Sequence, residues 1–236
     1  LRAMAKWVNR IKSEHFETQL IIFPELSISG YECGNEFNSL AETIDGPSIH
    51  YMQNVAYRYH VHLIFGFAER DQLDPGVIYN STMLISDTGQ IIGTYRKVHL
   101  FDTEQTYFTP GHDYPVFTTK IGRIGMMICY DTFFPEVART LALKKADLIA
   151  ISTNWERPRV NDWELCVRAR ALHNIIPIAA ANRIGFDKSL DFFGHSKIIG
   201  PLGNPIAAID TETAGHIHAE IDYQQTEALR HGYYSI

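Results

Sequence analysis

The sequence predicts an α/β fold in which a mixed sheet, or two stacked sheets, is covered by helices. Three observations carry that reading. Apolar residues at helical spacing alternate with short apolar runs of strand length along most of the chain. An Asp87-Thr88-Gly89 turn joins two of those runs as an antiparallel hairpin, which fits a purely parallel doubly wound fold poorly. Residues 121–139, IGRIGMMICYDTFFPEVAR, pass from an apolar run through a turn into a helical pattern, the strand–turn–helix unit of such folds.

Taken in order, Met4, Trp7, Val8 and Ile11 fall on one face of a helix over most of the first sixteen residues. Residues 19–23 read as a short buried strand that ends at Pro24-Glu25 and a turn-rich LSISGYECGNE. Ile49, Met52, Ala56 and Tyr59 repeat the helical spacing. Strands follow at 61–68 and 77–86, and the hairpin turn leads into another at 91–95. Residues 96–114 read as loop. In the 121–139 unit, Ile124, Met126 and Ile128 face one way and Met127 and Cys129 the other, as in a strand buried on both sides. Phe134, Val137, Ala138 and Leu141 then give a helix with Pro135 in its first turn. A buried strand at 148–152 and a helix with Leu165, Cys166, Ala169 and Leu172 on one face come next, then a strand at 176–181. Short β segments near 197–200, 206–209 and 216–221 close the chain, separated by turns such as Gly200-Pro201-Leu202-Gly203-Asn204.

With no Pro/Gly/Ser-rich linker, charge run or internal repeat, residues 1–236 read as a single domain. An apolar fraction of 45% and a charged fraction of 20% are ordinary globular values. The formal net charge of −6 argues against nucleic acid as a partner. No apolar run reaches the length of a membrane span. Three widely spaced cysteines (Cys33, Cys129 and Cys166) give neither a disulfide framework nor a metal-binding pair, and they fit a reducing cytoplasm. The eleven histidines are scattered, and no metal site is read from them.

Chemistry enters at the strand ends. The 121–139 elbow puts the Cys129 thiol at the carboxyl end of a strand and the amino end of a helix, where dipole and free N–H groups favour thiolate. A small buried hydrophobe is the alternative for a lone cysteine. Glu25 follows LIIFP and Lys97 follows IIGTYR, so both occupy the same kind of place. Either alone reads as a solvated loop charge. Together the carboxylate, ammonium and thiol are the base, electrostatic clamp and nucleophile that covalent amide or nitrile hydrolysis requires.

The chain resembles the nitrilase superfamily of carbon–nitrogen hydrolases. FPELSISGYE around Glu25, YRKVHLF around Lys97, EQTYFTPG at Glu104 and GMMICYDTFFPEVAR around Cys129 carry the resemblance. It continues through STNW, RARALHN, AANRIG and GHSKIIGPLGN, in the family's order. It implies a four-layer αββα sandwich of two mixed β-sheets flanked by helices, homodimers or higher homo-oligomers, and no metal or organic cofactor. By motif, the catalytic set falls on Glu25, Lys97 and Cys129, with Glu104 as a supporting glutamate. The backbone N–H of Tyr130 would share the oxyanion with Lys97.

The resemblance also bears on substrate. Cys129-Tyr130-Asp131 is similar to amidase and carbamoylase branches, whereas nitrilases proper tend to carry Trp-Glu after the cysteine. The expected partner is therefore a small-molecule amide, and the FFPE that follows keeps carbamoyl substrates open. Tyr31, Tyr107, Phe134 and Trp155 flank family motifs and are candidates to line an apolar pocket, ordinary packing being the alternative for each. Arg157 and Arg159 are candidates for a substrate carboxylate, with exposed loop charge as the alternative. Against the family pattern, an N-terminal strand and a C-terminal segment are expected to be missing from residues 1–236, and the missing strand would leave a sheet edge unpaired.

Overall fold

The structure, a computed structural model, describes residues 1–232. Its first part runs α1 (Arg2–Glu14), β1 (Leu20–Ile22), α2 (Phe37–Leu40), α3 (Pro47–Tyr59), β2 (His62–Arg70), β3 (Ile78–Ile85), β4 (Ile91–Arg96) and α4 (Glu104–Tyr107). The middle runs β5 (Val116–Thr119), β6 (Gly122–Ile128), α5 (Pro135–Leu143), β7 (Leu148–Thr153), α6 (Val160–Asn174) and β8 (Ile178–Asn182). Then come β9 (Ile184–Phe186), β10 (Asp191–Phe193), β11 (Lys197–Ile199), β12 (Pro205–Ala208) and α7 (Tyr223–His231).

One sheet has the order β1-β2-β3-β4, parallel at β1/β2 and antiparallel thereafter. The second has the order β12-β11-β8-β7-β6-β5, with a parallel β6-β7-β8 centre and antiparallel margins. β9 and β10 form a separate hairpin. β1–β3 pack on β6–β8, α1 and α3 cover the outer face of the first sheet, and α5 and α6 cover the second. The period-two alternation of strands decides which core each residue enters. Leu63 and Phe65 of β2 join Met4, Val8, Ile49 and Met52 under the helices, while Ile64 points the other way into the core shared with Met126, Ile128 and Ile151. The result is the αββα sandwich with mixed sheets. Among the described residues no strand pairs with the outer edge of β1, which faces a groove of about 890 Å³ bounded by α1, β8 and residues 214–221. No helix among the described residues is long and apolar enough to cross a membrane.

The structure corrects several local expectations. The 96–114 stretch is not all loop, because α4 forms a single turn there and carries Glu104. Cys129 opens a five-residue 3₁₀ turn, Cys129–Phe133, and α5 begins only at Pro135 with Phe134 as its N-cap. The thiol therefore does not sit at the amino end of an α-helix. Residues 216–221 form no strand, and β5, β9, β10 and α7 stand where no element was read. The expected shortening at the C-terminal end falls at residues 233–236, outside those described.

The face of α6 is also reversed. Leu165 is 70% exposed and Leu172 41% exposed, while Trp163, Val167, Arg170, Ala171 and Asn174 are buried. Trp163 packs against Trp155 at 5.5 Å between ring centroids and donates its indole N–H to the His195 carbonyl. Trp163→Ala is expected to cost about 3–5 kcal/mol of stability through the cavity it leaves. Leu165→Ala is expected to change stability by no more than about 0.5 kcal/mol. Urea unfolding of the two variants measures the difference, and equal losses would contradict the observed face.

Candidate active site

The site begins with chain turns that glycine makes room for. A Cβ on Gly66 of β2 would fall 2.2 Å from the Leu26 nitrogen and 2.8 Å from the Glu25 backbone. Glycine thus lets the turn after β1 lie flat on β2, with Leu26 in the left-handed region at φ +46°. Gly111 does the same for the segment after β4, because its Cβ would meet the Arg96 carbonyl oxygen at 2.2 Å. Its own N–H donates to the Lys97 carbonyl at 2.8 Å.

These turns aim three charged side chains at one point. Lys97 Nζ donates to Glu25 Oε1 at 2.6 Å and to Glu104 Oε1 at 2.8 Å, and all three residues are buried. Glu25 Oε1 also accepts from Asn80 Nδ2 at 2.7 Å, and Glu25 Oε2 accepts from the Asn154 N–H at 3.0 Å. Tyr31 donates its hydroxyl to Glu104 Oε1 at 2.7 Å, and the Phe101 N–H donates to Glu104 Oε2 at 3.1 Å. Burial alone would push the Lys97 ammonium toward neutrality, but Glu104 and Glu25 outweigh it and hold the proton on nitrogen. Burial pushes the Glu25 carboxyl up; Lys97 pulls it down and the Glu104 charge pushes it up again.

Cys129 is held in the left-handed region at φ +44°, a conformation that costs a non-glycine residue about 1–2 kcal/mol. The surroundings impose it. The buried Asp131 carboxyl accepts from the Ile128 N–H at 3.1 Å and the Tyr95 hydroxyl at 2.7 Å through one oxygen. Through the other it accepts the His99 N–H at 3.0 Å and meets His99 Nδ1 at 2.9 Å. Tyr95 and His99 flank Lys97, and Ile128 and Asp131 bracket Cys129, so this one carboxyl ties the ammonium's segment to the thiol's. Arg170 of α6 closes the turn from below, donating to the Thr132 and Phe133 carbonyls at 2.9 Å each.

The thiol's electrostatics differ from the sequence expectation. Burial pushes the Cys129 thiol well up, the Glu25 charge adds to that, and Lys97 only partly opposes it. One ammonium between two carboxylates leaves a negative neighbourhood, and no α-helix terminus offsets it. The resting sulfur keeps its proton.

Cys129 lines a small cavity of about 20 Å³ together with Phe101, Tyr130, Phe133, Asn154 and Trp155, and with Glu156 and Arg159 at its rim. Such a volume holds little more than one water. The Tyr130 N–H lies in the first turn, which has no intrahelical carbonyl for it. Of the four expected pocket aromatics, Trp155 lines this cavity and Tyr31 binds Glu104 beside it. Tyr107 packs instead on Phe37, and Phe134 stacks on His99 at 3.7 Å. Phe101 and Phe133 take those places, and both stand inside the motifs around Lys97 and Cys129. Arg157 is committed to Asp191 and Glu212. Arg159 makes no ion pair among the described residues, and its guanidinium lies 5.1 Å over the Phe101 ring.

Comparison with known proteins gives this arrangement a context. The carbon–nitrogen hydrolase family profile matches residues 1–231. The probable nitrilase of Schizosaccharomyces pombe is 50% identical over 236 residues, covering 100% of this chain and 87% of that protein. The 2-oxoglutaramate amidase of Bacillus subtilis is 33% identical, covering 93% of this chain and 84% of its own. The crystal structure of a carbon–nitrogen hydrolase from Helicobacter pylori G27 superposes with a TM-score of 0.92 at 28% identity, covering 99% of this chain and 87% of that one. The match of profile, sequence and fold across essentially the whole chain means that the protein belongs to the carbon–nitrogen hydrolase family, within the nitrilase superfamily.

Proposed function

We propose that this carbon–nitrogen hydrolase is an amidase that cleaves a small carboxamide to a carboxylate and ammonia through a thioester on Cys129. One observation carries the reading: a fully buried ammonium bridges two carboxylates within electrostatic reach of a thiol that lines a small cavity. Glu25 takes the proton from Cys129 as the sulfur attacks the amide carbon, and the carbonyl electron pair moves onto oxygen. Lys97 Nζ and the Tyr130 N–H receive that oxyanion. Collapse of the intermediate breaks the carbon–nitrogen bond, and Glu25 returns the proton to the leaving nitrogen. Glu25 then removes a proton from water, which attacks the thioester and frees the carboxylate and the thiol. Its raised carboxyl suits both directions of transfer. The proton on the resting sulfur supports a base-assisted attack over a preformed thiolate. Glu104 and Tyr31 position Lys97. The scheme uses no metal or organic cofactor.

Residues 1–236 act as one domain in this reading, supported by the core the two sheets share. Exposed Leu143, Leu165 and Leu172, on two helices that pack side by side, support assembly into a homo-oligomer. Three free cysteines support a cytoplasmic setting.

Arg159 at the cavity rim, which has no ion pair among the described residues and senses only the nearby Glu156 charge, favours a substrate with a carboxylate remote from the scissile bond, whether an ω-carboxy amide or an N-carbamoyl compound. An ammonia-release screen over small aliphatic, aromatic, ω-carboxy and N-carbamoyl substrates tests this. Ammonia from carboxamides is the expected result. Ammonia with carbon dioxide from N-carbamoyl compounds alone would replace the amidase reading by the carbamoylase one. Arg159→Ala is expected to raise KM for carboxylate-bearing substrates by about fivefold, the reach of a solvent-exposed ion pair. Neutral amides should be unaffected, and an equal change for both classes would remove Arg159 from recognition.

A further inference from the structure

The fold assembles a second cluster of ligand groups, sharing no lining residue with the Cys129 cavity. Glu14 and His15 end α1, and His216 comes from the segment across the groove beside β1. One ligand atom from each lies within 4.8 Å of the others. Glu14 Oε2 is 3.3 Å from His216 Nε2. Ligands held about 2.1 Å from a tetrahedral zinc ion stand about 3.4 Å apart, so this pair already has the spacing of two vertices. Glu14 and His15 are neighbours in sequence and His216 lies near the other end of the chain, a pairing that a periodicity reading has no means of making.

The surroundings orient these groups. Arg10 donates to Glu14 Oε1 at 2.8 Å, which leaves Oε2 turned toward His216. The His218 ring stacks on His15 at 4.4 Å with 3° between planes, and Trp7 meets the His216 ring edge-on at 6.1 Å between centroids. Such neighbours fix ring orientation in the way that outer-shell partners of metal ligands do.

We propose that Glu14, His15 and His216 form a binding site for a divalent transition metal of the zinc class, with one coordination position open to water. Two imidazoles and one carboxylate suit zinc, nickel or copper and offer little to magnesium or calcium, which prefer all-oxygen shells. A bound ion ties the 214–221 segment to the end of α1.

Titration calorimetry of the full chain with zinc chloride tests this, with magnesium chloride as a control. One zinc per chain is expected, in the micromolar range, with no magnesium response. Glu14→Gln should weaken binding by about 10-fold or more, and the double change His15→Ala with His216→Ala should abolish it. Cobalt absorption provides a second readout, since a four-coordinate site gives visible bands that the double variant should lose. Circular dichroism of each variant excludes loss through unfolding. Zinc uptake that persists in the folded double variant, as the cysteines would give, overturns the proposal. So does the absence of uptake by the unaltered chain.

Discussion

Replacing Cys129 by alanine is expected to reduce ammonia release at least about 10⁴-fold while leaving the fold intact. Cys129 carries the one thiol among the residues lining the cavity, the others being Phe101, Tyr130, Phe133, Asn154, Trp155, Glu156 and Arg159. The structural cost should be small. The substitution removes one sulfur, a loss of about 1 kcal/mol at a buried position. Alanine inherits the same left-handed backbone at φ +44° and adds no strain of its own. Glycine at this position would relieve that strain and is expected to melt at or above the alanine variant. Steady-state ammonia assay and thermal melts give the two numbers, and acid-quenched mass spectrometry of the unaltered enzyme should find the acyl group on Cys129. Retained turnover in clean alanine variant, or an acyl group on another residue, sinks the thioester scheme.

The fold class was legible because its main strands keep strict patterns. β2, β6 and β7 are mainly apolar runs of the kind that two covered faces require, and the Asp87-Thr88-Gly89 turn fixes β3 against β4. What failed to read was local and has physical causes. The buried face of α6 contains Arg170 and Asn174, whose side-chain N–H groups donate to the Thr132, Phe133 and Arg170 carbonyls. A hydrophobic pattern does not register burial secured by hydrogen bonds. Residues 216–221 alternate like a strand, yet nothing among the described residues pairs with them. The short β5, β9 and β10 carry too few residues for a period. At the site, Glu25, Lys97 and Cys129 were readable from their places after apolar runs, and Glu104 only through family resemblance. Asn80 and Asn154 come from the ends of other strands and become visible only once the two sheets are stacked. The upward push on the Cys129 thiol escapes a sequence reading for a related reason. Its charge neighbours are set by tertiary convergence, while the sequence showed only a helix that begins six residues later than the cysteine.

Lys97→Met should damage both catalysis and stability, and the second effect should depend on pH. For catalysis it removes one of two oxyanion donors, a loss of about 10²–10³ in kcat. For stability it leaves Glu25 and Glu104 facing each other in the interior without the ammonium that both bind at 2.6 and 2.8 Å. Removing one partner of a buried ion pair typically costs about 3–5 kcal/mol, a large part of the stability of an ordinary domain. The pH dependence follows from Glu25, whose carboxyl is already pushed up by burial and loses in the variant the charge that pulls it down. A group with a raised pKa in the folded state binds its proton more tightly there than in the unfolded chain. Its contribution is fully present below the ordinary carboxyl value of about 4.3 and is lost as pH rises through the folded value. The deficit of the variant should therefore be largest at pH 7–8 and shrink as pH falls toward about 5. Urea unfolding of both proteins across that range measures it. A deficit that is constant with pH would mean that the loss is one of packing volume, and that Lys97 is not the counterion on which Glu25 depends.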